Sequence, residues 1–319
     1  MKNFFNNIGG DPNGGVVVVK RTEPGMCGGT DATQDTRAPK EIVSDEMIFF
    51  DVTSALGGMA AAPGTTQNFD PSLGYVSAFA APAAEGTFLF LSTFRGFGFG
   101  TLGERRSEWA YVKEDIFPKL VALARECDLA RGNGYHSETH GLPQNFGGRI
   151  DIRYASGERI STSNNQSPVL SPVAATRIAD VFGETMKGER VLIPDVSALR
   201  QIRFEETRDG GGFTEAVLTI APDGTALNEQ RSRYEDPTVY ESTKSVDKET
   251  VDGIKKNILD TGILAWESLP GGGGVLPGRE KRITFVFDGD EICVKEGKTV
   301  PFSISRGFFN IELEMTIKH

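Results

Sequence analysis

Hydrophobic and polar positions along this chain fall into short β-patterned runs interrupted by stretches with apolar residues three and four apart. The run Met47-Ile48-Phe49-Phe50-Asp51-Val52-Thr53 predicts a strand, as do Phe88-Leu89-Phe90-Leu91 and Val217-Leu218-Thr219-Ile220. The second of these later runs enters Pro222-Asp223-Gly224, a turn in which Pro presets φ and Gly accepts a positive one. Phe117, Leu120, Ala124 and Cys127 recur at helical spacing, and Pro118 is tolerated because first-turn N–H groups lack intrahelical partners. Val251, Ile254, Ile258 and Thr261 repeat that spacing, with Asp247 and Glu249 suited to a helix N-terminus. Ile150, Ile152 and Tyr154 then alternate toward Ser156-Gly157, and Ile283, Phe285 and Phe287 toward Asp288-Gly289, so each reads as a hairpin. A further helix is expected behind Ser171 as N-cap and Pro172 at the first helical position, with Ala174, Ile178, Val181 and Phe182 inward. The last run alternates Phe309, Ile311, Leu313, Met315 and Ile317 with Asn310, Glu312, Glu314, Thr316 and Lys318, and predicts a strand with one dry and one wet face.

These elements occur twice in the same order. Met47 to Thr53 aligns with Gln201-Ile202-Arg203-Phe204-Glu205-Glu206-Thr207, which sets Ile48 against Ile202. Glu104-Arg105-Arg106-Ser107-Glu108-Trp109 aligns with Glu229-Gln230-Arg231-Ser232-Arg233-Tyr234, and Arg149-Ile150 with Arg282-Ile283. The period is far longer than the roughly 20–50 residues of a solenoid repeat, which points to two domains of one fold. The expected fold class is α+β: two tandem copies of an antiparallel-sheet domain with one main helix each. A Gly-rich leader is expected over 1–40 with one edge strand at Val16–Val19, repeat one over 41–188 and repeat two over 189–319. A Gly/Ala/Pro-rich insert, 57–84, has no counterpart in repeat two and reads as a loop or flap.

Composition narrows the partners. At 319 residues each half is long enough for its own core, and the net charge of −10 argues against nucleic acid, which needs a clustered basic surface. Cys27, Cys127 and Cys293 stand far apart without metal-binding spacing, which fits reduced thiols and a cytoplasmic location. No apolar stretch is long enough for a bilayer and no secretory apolar segment follows Met1, so no membrane partner is expected.

Candidate chemistry is sparse. Gly98-Phe99-Gly100-Thr101-Leu102-Gly103 matches GxGxxG, but Glu104 to Trp109 follows it where a phosphate-binding helix would have to begin. Gly271 to Gly274 follows a helix and precedes a strand, the reverse of a phosphate loop. His136, Glu138 and His140 combine imidazole and carboxylate, which suit a metal ion or proton transfer. On a regular strand the two histidines lie about 13 Å apart, too far to share an ion. Convergence therefore requires a bend, with Asp151 to complete the set. Arg106-Ser107 and Arg231-Ser232, near Glu104 and Glu229, read either as hairpin ties beside Trp109 and Tyr234 or as a paired anion site.

The order of helix, Gly262-Ile263, Trp266-Glu267, Leu269-Pro270 and the Ile283-x-Phe285-x-Phe287 hairpin resembles a duplicated α+β module of uncharacterised bacterial proteins. The first copy departs from it, with Thr139-His140 near the Trp-acidic position, and the resemblance implies no activity. Taken together the residues favour a non-catalytic binding or interaction module for a protein or small-molecule ligand, with no catalytic residue and no cofactor. The alternative is a metal-dependent hydrolase centred on His136, Glu138 and His140. Arg106 and Arg231 are the candidate binding residues.

Overall fold

The computed structural model describes residues 8–10, 16–21, 29–56, 70, 72–83, 85–96, 103–141, 146–234, 238–265, 279–295 and 302–316. Among these the chain is mixed α+β with two sheets and four helices. It divides into two compact units, one of 1–82, 89–108 and 112–189, the other of 83–88, 109–111 and 190–319.

The first sheet contains β1 (Ile8–Gly10), β2 (Val16–Arg21), β3 (Thr30–Asp35), β4 (Met47–Ala55), β5 (Leu73–Ala83), β6 (Gly86–Arg95), β7 (Glu104–Val112), β8 (Tyr135–Thr139), β9 (Gly148–Tyr154) and β10 (Arg159–Asn164). Its strand order is β1-β2-β3-β8-β10-β9-β4-β5-β6-β7. Helices α1 (Phe117–Glu126) and α2 (Pro172–Thr185) cover the side that carries Phe50, Val52, Ile150, Ile152 and Ile160. Phe50 meets Phe182 of α2 at a ring separation of 5.8 Å, and Leu120, Ala124 and Ile178 are buried on the same helices. Ser171 caps α2 by accepting from Ala174 N at 3.2 Å, as its position before Pro172 predicts.

The second sheet contains β11 (Gln201–Arg208), β12 (Phe213–Ile220), β13 (Ala226–Arg233), β14 (Tyr240–Val246), β15 (Arg279–Val286) and β16 (Glu291–Lys295), in the order β14-β13-β12-β11-β15-β16. Helices α3 (Lys248–Thr261) and α4 (Phe302–Met315) accompany it. Asp247 caps α3 by accepting from Thr250 N at 2.8 Å, and Val251, Ile254 and Ile258 are buried. Gly262 ends α3 at φ +70°, where a Cβ would lie 2.3 Å from the indole of Trp109, so this position requires glycine for both backbone and space. Trp109 donates its Nε1–H to Leu259 O at 2.8 Å and stacks on Phe88.

Several expectations change. The stretch 57–84 is not a loop throughout, because Leu73–Ala83 forms β5 between β4 and β6. Its small residues have low strand propensity, and pairing on both edges overrides that preference. The last run is not a strand: Phe308, Ile311 and Met315 are buried at helical spacing on α4, while Phe309 and Leu313 are exposed. Among the described residues each unit therefore has two helices: α2, behind Ser171, is expected beside the main helix of the first, and α4 of the second is not. The first sheet is not wholly antiparallel, since β8 and β10 run parallel through His136↔Ser163. Residues 30–35 of the expected leader pair with β8.

The alignment of the two halves also shifts. Ile48 sits at a register irregularity between Met47 and Phe49 and is exposed, so Phe50, paired with Ile152, holds the place that Ile202, paired with Phe285, holds in the second sheet. Glu104–Trp109 lies on the fourth strand of the run β4 to β7, whereas Glu229–Arg233 lies on the third strand of the run β11 to β14. Overlooking β5 moves the alignment by one strand.

Candidate functional site

Odd-numbered residues of β9, and of β4 from Phe49 onward, point away from α1 and α2, and on β9 they alternate in charge. Arg149, Asp151 and Arg153 share one face of β9, while Ile150, Ile152 and Tyr154 are buried on the other. Cross-strand pairing extends this into three rows. Thr53, Arg149 and Ser163 form the first, Asp51, Asp151 and Ser161 the second, and Phe49, Arg153 and Arg159 the third. Ser77 and Phe79 of β5 continue the first two rows, and His136 of β8 joins Ser163.

Two aspartates thus lie directly opposite each other between arginines. Arg149 donates to Asp51 at 2.7 Å, Arg153 to Asp151 at 2.7 Å and Arg159 to Asp151 at 2.8 Å. Arg153 also covers the Phe49 ring, 4.6 Å from its centroid. Burial pushes the Asp51 carboxyl above its ordinary range, against the attraction of Arg149 and with a further push from Asp151. Burial raises Asp151 as well, but hydrogen bonds from Arg153 and Arg159 outweigh it and hold that carboxyl below its ordinary range. Arg149 and Arg159 remain exposed over more than half of their side chains, at 62% and 52%. Each places one nitrogen on an aspartate, and among the described residues their other nitrogens make no hydrogen bond.

The histidine segment forms β8. His136 Nδ1 lies 2.9 Å from Ser163 Oγ, and burial, followed by Arg159, lowers its pKa, so the ring is neutral at pH 7. His140 Nε2 lies 3.2 Å from Asp31 and its Nδ1 3.9 Å from Glu138. The structure therefore brings His140 to Glu138 and ties His136 to a different strand. Among the described residues, no group of three or more His, Cys, Asp or Glu is arranged to hold a metal ion. Asp151 is engaged by Arg153 and Arg159. Arg106 pairs with Glu104 at 2.7 Å, both exposed. Arg231 lies 3.6 Å from Glu241 and over Phe213. The glycines at 98, 100, 271 and 274, together with Trp266, Leu269 and Cys27, lie outside the described residues.

Sequence reasoning named Asp151 but missed Asp51, Arg149, Arg153 and Arg159 as a set. The signal was the sign alternation along β9, read only for its apolar partners. No helix among the described residues is long and apolar enough to cross a membrane. Compared with protein-family models and with curated proteins, the chain matches none.

Proposed function

We propose that this chain is a non-catalytic binding protein that holds an anionic group, a carboxylate of a protein or small-molecule ligand, on the arginine face of the first sheet. The observation that carries this reading is the pair Arg149 and Arg159. Each guanidinium is oriented through one nitrogen by a half-buried or buried aspartate and presents unbonded N–H donors outward. A guanidinium held this way matches a carboxylate with two parallel N–H donors and loses little side-chain freedom on binding. Asp51 and Asp151 act as positioning residues, and Ser161 and Thr53 add hydroxyls in the same rows.

The same reading takes the chain as two tandem copies of one α+β plan, 41–188 and 189–319. It is supported by the matching orders β7-β6-β5-β4-β9-β10 and β14-β13-β12-β11-β15-β16, with a helix after the fourth strand and another after the hairpin in each. A cytoplasmic location suits the unpaired thiols of Cys127 and Cys293. The competing reading, a metal-dependent hydrolase on His136, Glu138 and His140, has less support because Ser163 and Asp31 hold the two imidazoles separately.

Thermal shift and calorimetric titration with succinate and inorganic phosphate test the proposal. Saturable stabilisation is expected by mass action, weakened in Arg159→Gln and further weakened in Arg149→Gln/Arg159→Gln. Equal stabilisation of the double variant would overturn it. So would stoichiometric zinc in untagged protein that disappears in His136→Ala/His140→Ala.

A further inference from the structure

Beyond the arginine face, we propose that the first unit binds a small aliphatic ammonium in a pocket beneath the C-terminal end of α1. The cavity has a volume of about 220 Å³. That is smaller than the roughly 300–1,000 Å³ of pockets for drug-sized ligands, so its occupant has few heavy atoms. Ile42, Ala124, Ala130 and Ile160 give it apolar walls. Its polar groups divide into those already engaged and those still open.

The cations are engaged. Lys40 donates to Asn133 O, and Arg125 donates to the carbonyls of Val43 and Ser44 and pairs with Asp45 at 2.6 Å. Glu158 accepts from the N–H groups of Val43 and Ser44 and fixes the same segment. The open groups are acceptors. Asp128 and Glu41 line the cavity, and neither carboxylate forms a side-chain hydrogen bond or ion pair among the described residues. Tyr154 also lines it, is only 4% exposed, and its hydroxyl has no hydrogen-bond partner among the described residues. Burial pushes this phenol up to about 12, so it stays neutral and offers an oxygen lone pair.

Charge points the same way. Glu41 and Asp128 line the pocket against Lys40 and Arg125, and Asp45 already offsets Arg125, so the lining with that paired neighbour carries net negative charge. The Tyr154 oxygen is open to the pocket, and a ligand that brings N–H donors supplies it with a partner. A primary alkylammonium does this while its chain contacts the four aliphatic walls. The groove between α3 and α4 in the second unit offers no such opening, because the amides lining it, Asn257 and Asn310, bond to each other at 2.8 Å.

Calorimetric titration of the full chain with n-butylammonium chloride tests this, with n-butanol, sodium butyrate and sodium chloride as comparators. Saturable binding of the ammonium alone is expected. Asp128→Asn should weaken it by about tenfold or more, the loss of one charge-assisted contact. Asparagine tolerates the left-handed backbone of Asp128, at φ +50°, so this variant keeps the local fold. Tyr154→Phe, which removes only the hydroxyl, should weaken binding severalfold while leaving binding at the arginine face unchanged. Butanol or butyrate binding as tightly as butylammonium would overturn the proposal. Unchanged affinity in both variants, or no saturable binding of the ammonium, would do the same.

Discussion

Ser54 faces Gly148 across β4 and β9, and Glu206 faces Lys281 across β11 and β15. The two pairs occupy the same place in matching strand orders, two residues beyond Val52↔Ile150 and Phe204↔Ile283, yet their chemistry is opposite. In the first unit the chain entering α2 closes directly on the sheet. Ser54 Oγ accepts from Val169 N and Leu170 N, and a Cβ on Gly148 would lie 2.2 Å from Thr53 O. In the second unit Lys281 reaches Glu312 of α4, and Glu206 takes two hydrogen bonds of 3.0 Å from Arg208. The buried row continues through Thr214 to Ser232, whose hydroxyl has no hydrogen-bond partner among the described residues. Charge therefore lies under the helices as well as on the opposite face in the second unit, and on the face away from the helices in the first. The comparison teaches that strand order alone does not decide which face of a sheet is dry. What matters is which segment closes over it and how near it comes.

The largest expected effect tests that buried row. Lys281→Met removes the buried cation that pairs with Glu312 and should destabilise the chain by about 3–5 kcal/mol in urea unfolding. Adding Glu312→Gln should recover much of that loss. A Lys281→Met variant as stable as the parent would break the contrast between the units. Next in size, Ile254→Ala and Leu120→Ala should each cost about 2–5 kcal/mol, because the dry cores beneath α3 and α1 are alike. A loss under about 0.5 kcal/mol, typical of a surface change, would remove that likeness.

A smaller pair of effects separates two arginines at matching positions. Arg149→Ala strands the buried Asp51 and should cost about 1–3 kcal/mol. Arg282→Ala breaks only a more exposed pair with Glu205 and should cost about 0.2–1 kcal/mol. Equal losses would mean that the burial of Asp51 has no energetic consequence. The finest test is pH. The folded pKa of Asp51 lies above its ordinary value of 3.8, so above that pH the folded state holds more proton than the unfolded one. Its contribution to stability is present below 3.8 and lost as pH rises through the folded value. Asp51→Asn should remove that decline, so the variant gains stability relative to the parent between acid and neutral pH. Parallel stability–pH curves would rule this out. Asp151 has the opposite sign, its contribution being lost as pH falls below 3.8.

Much of the element order was legible because the local signals are strong. The helices over Phe117 and Val251, the Ser171 cap and the hairpin turns at Gly157 and Gly289 each rest on residues within a few positions of one another. The failures share a cause. Leu73–Ala83 became a strand through partners on β4 and β6, and Phe302–Met315 became a helix by packing on α3, neither of which is written in its own composition. The candidate site fared likewise. His136, Glu138 and His140 were noticed because they are neighbours in sequence, whereas Asp51, Arg149 and Arg159 are separated by up to a hundred residues or more and meet only through strand register.

By itself the sequence determined where the chain turns, which helix faces are apolar and that β9 carries alternating charge on one side. Turn geometry, capping and periodicity act over a few residues, so they can be read without knowing what lies across the sheet. Tertiary structure alone decided that β5 exists, that Ile48 is displaced by an irregularity and that Glu206 is buried while its counterpart is a serine. It also decided that Asp51 faces Asp151 with Arg149 beside it. Burial and pairing depend on what packs against a residue, and in this chain those partners come from distant segments whose approach is set by the closing loops and helices.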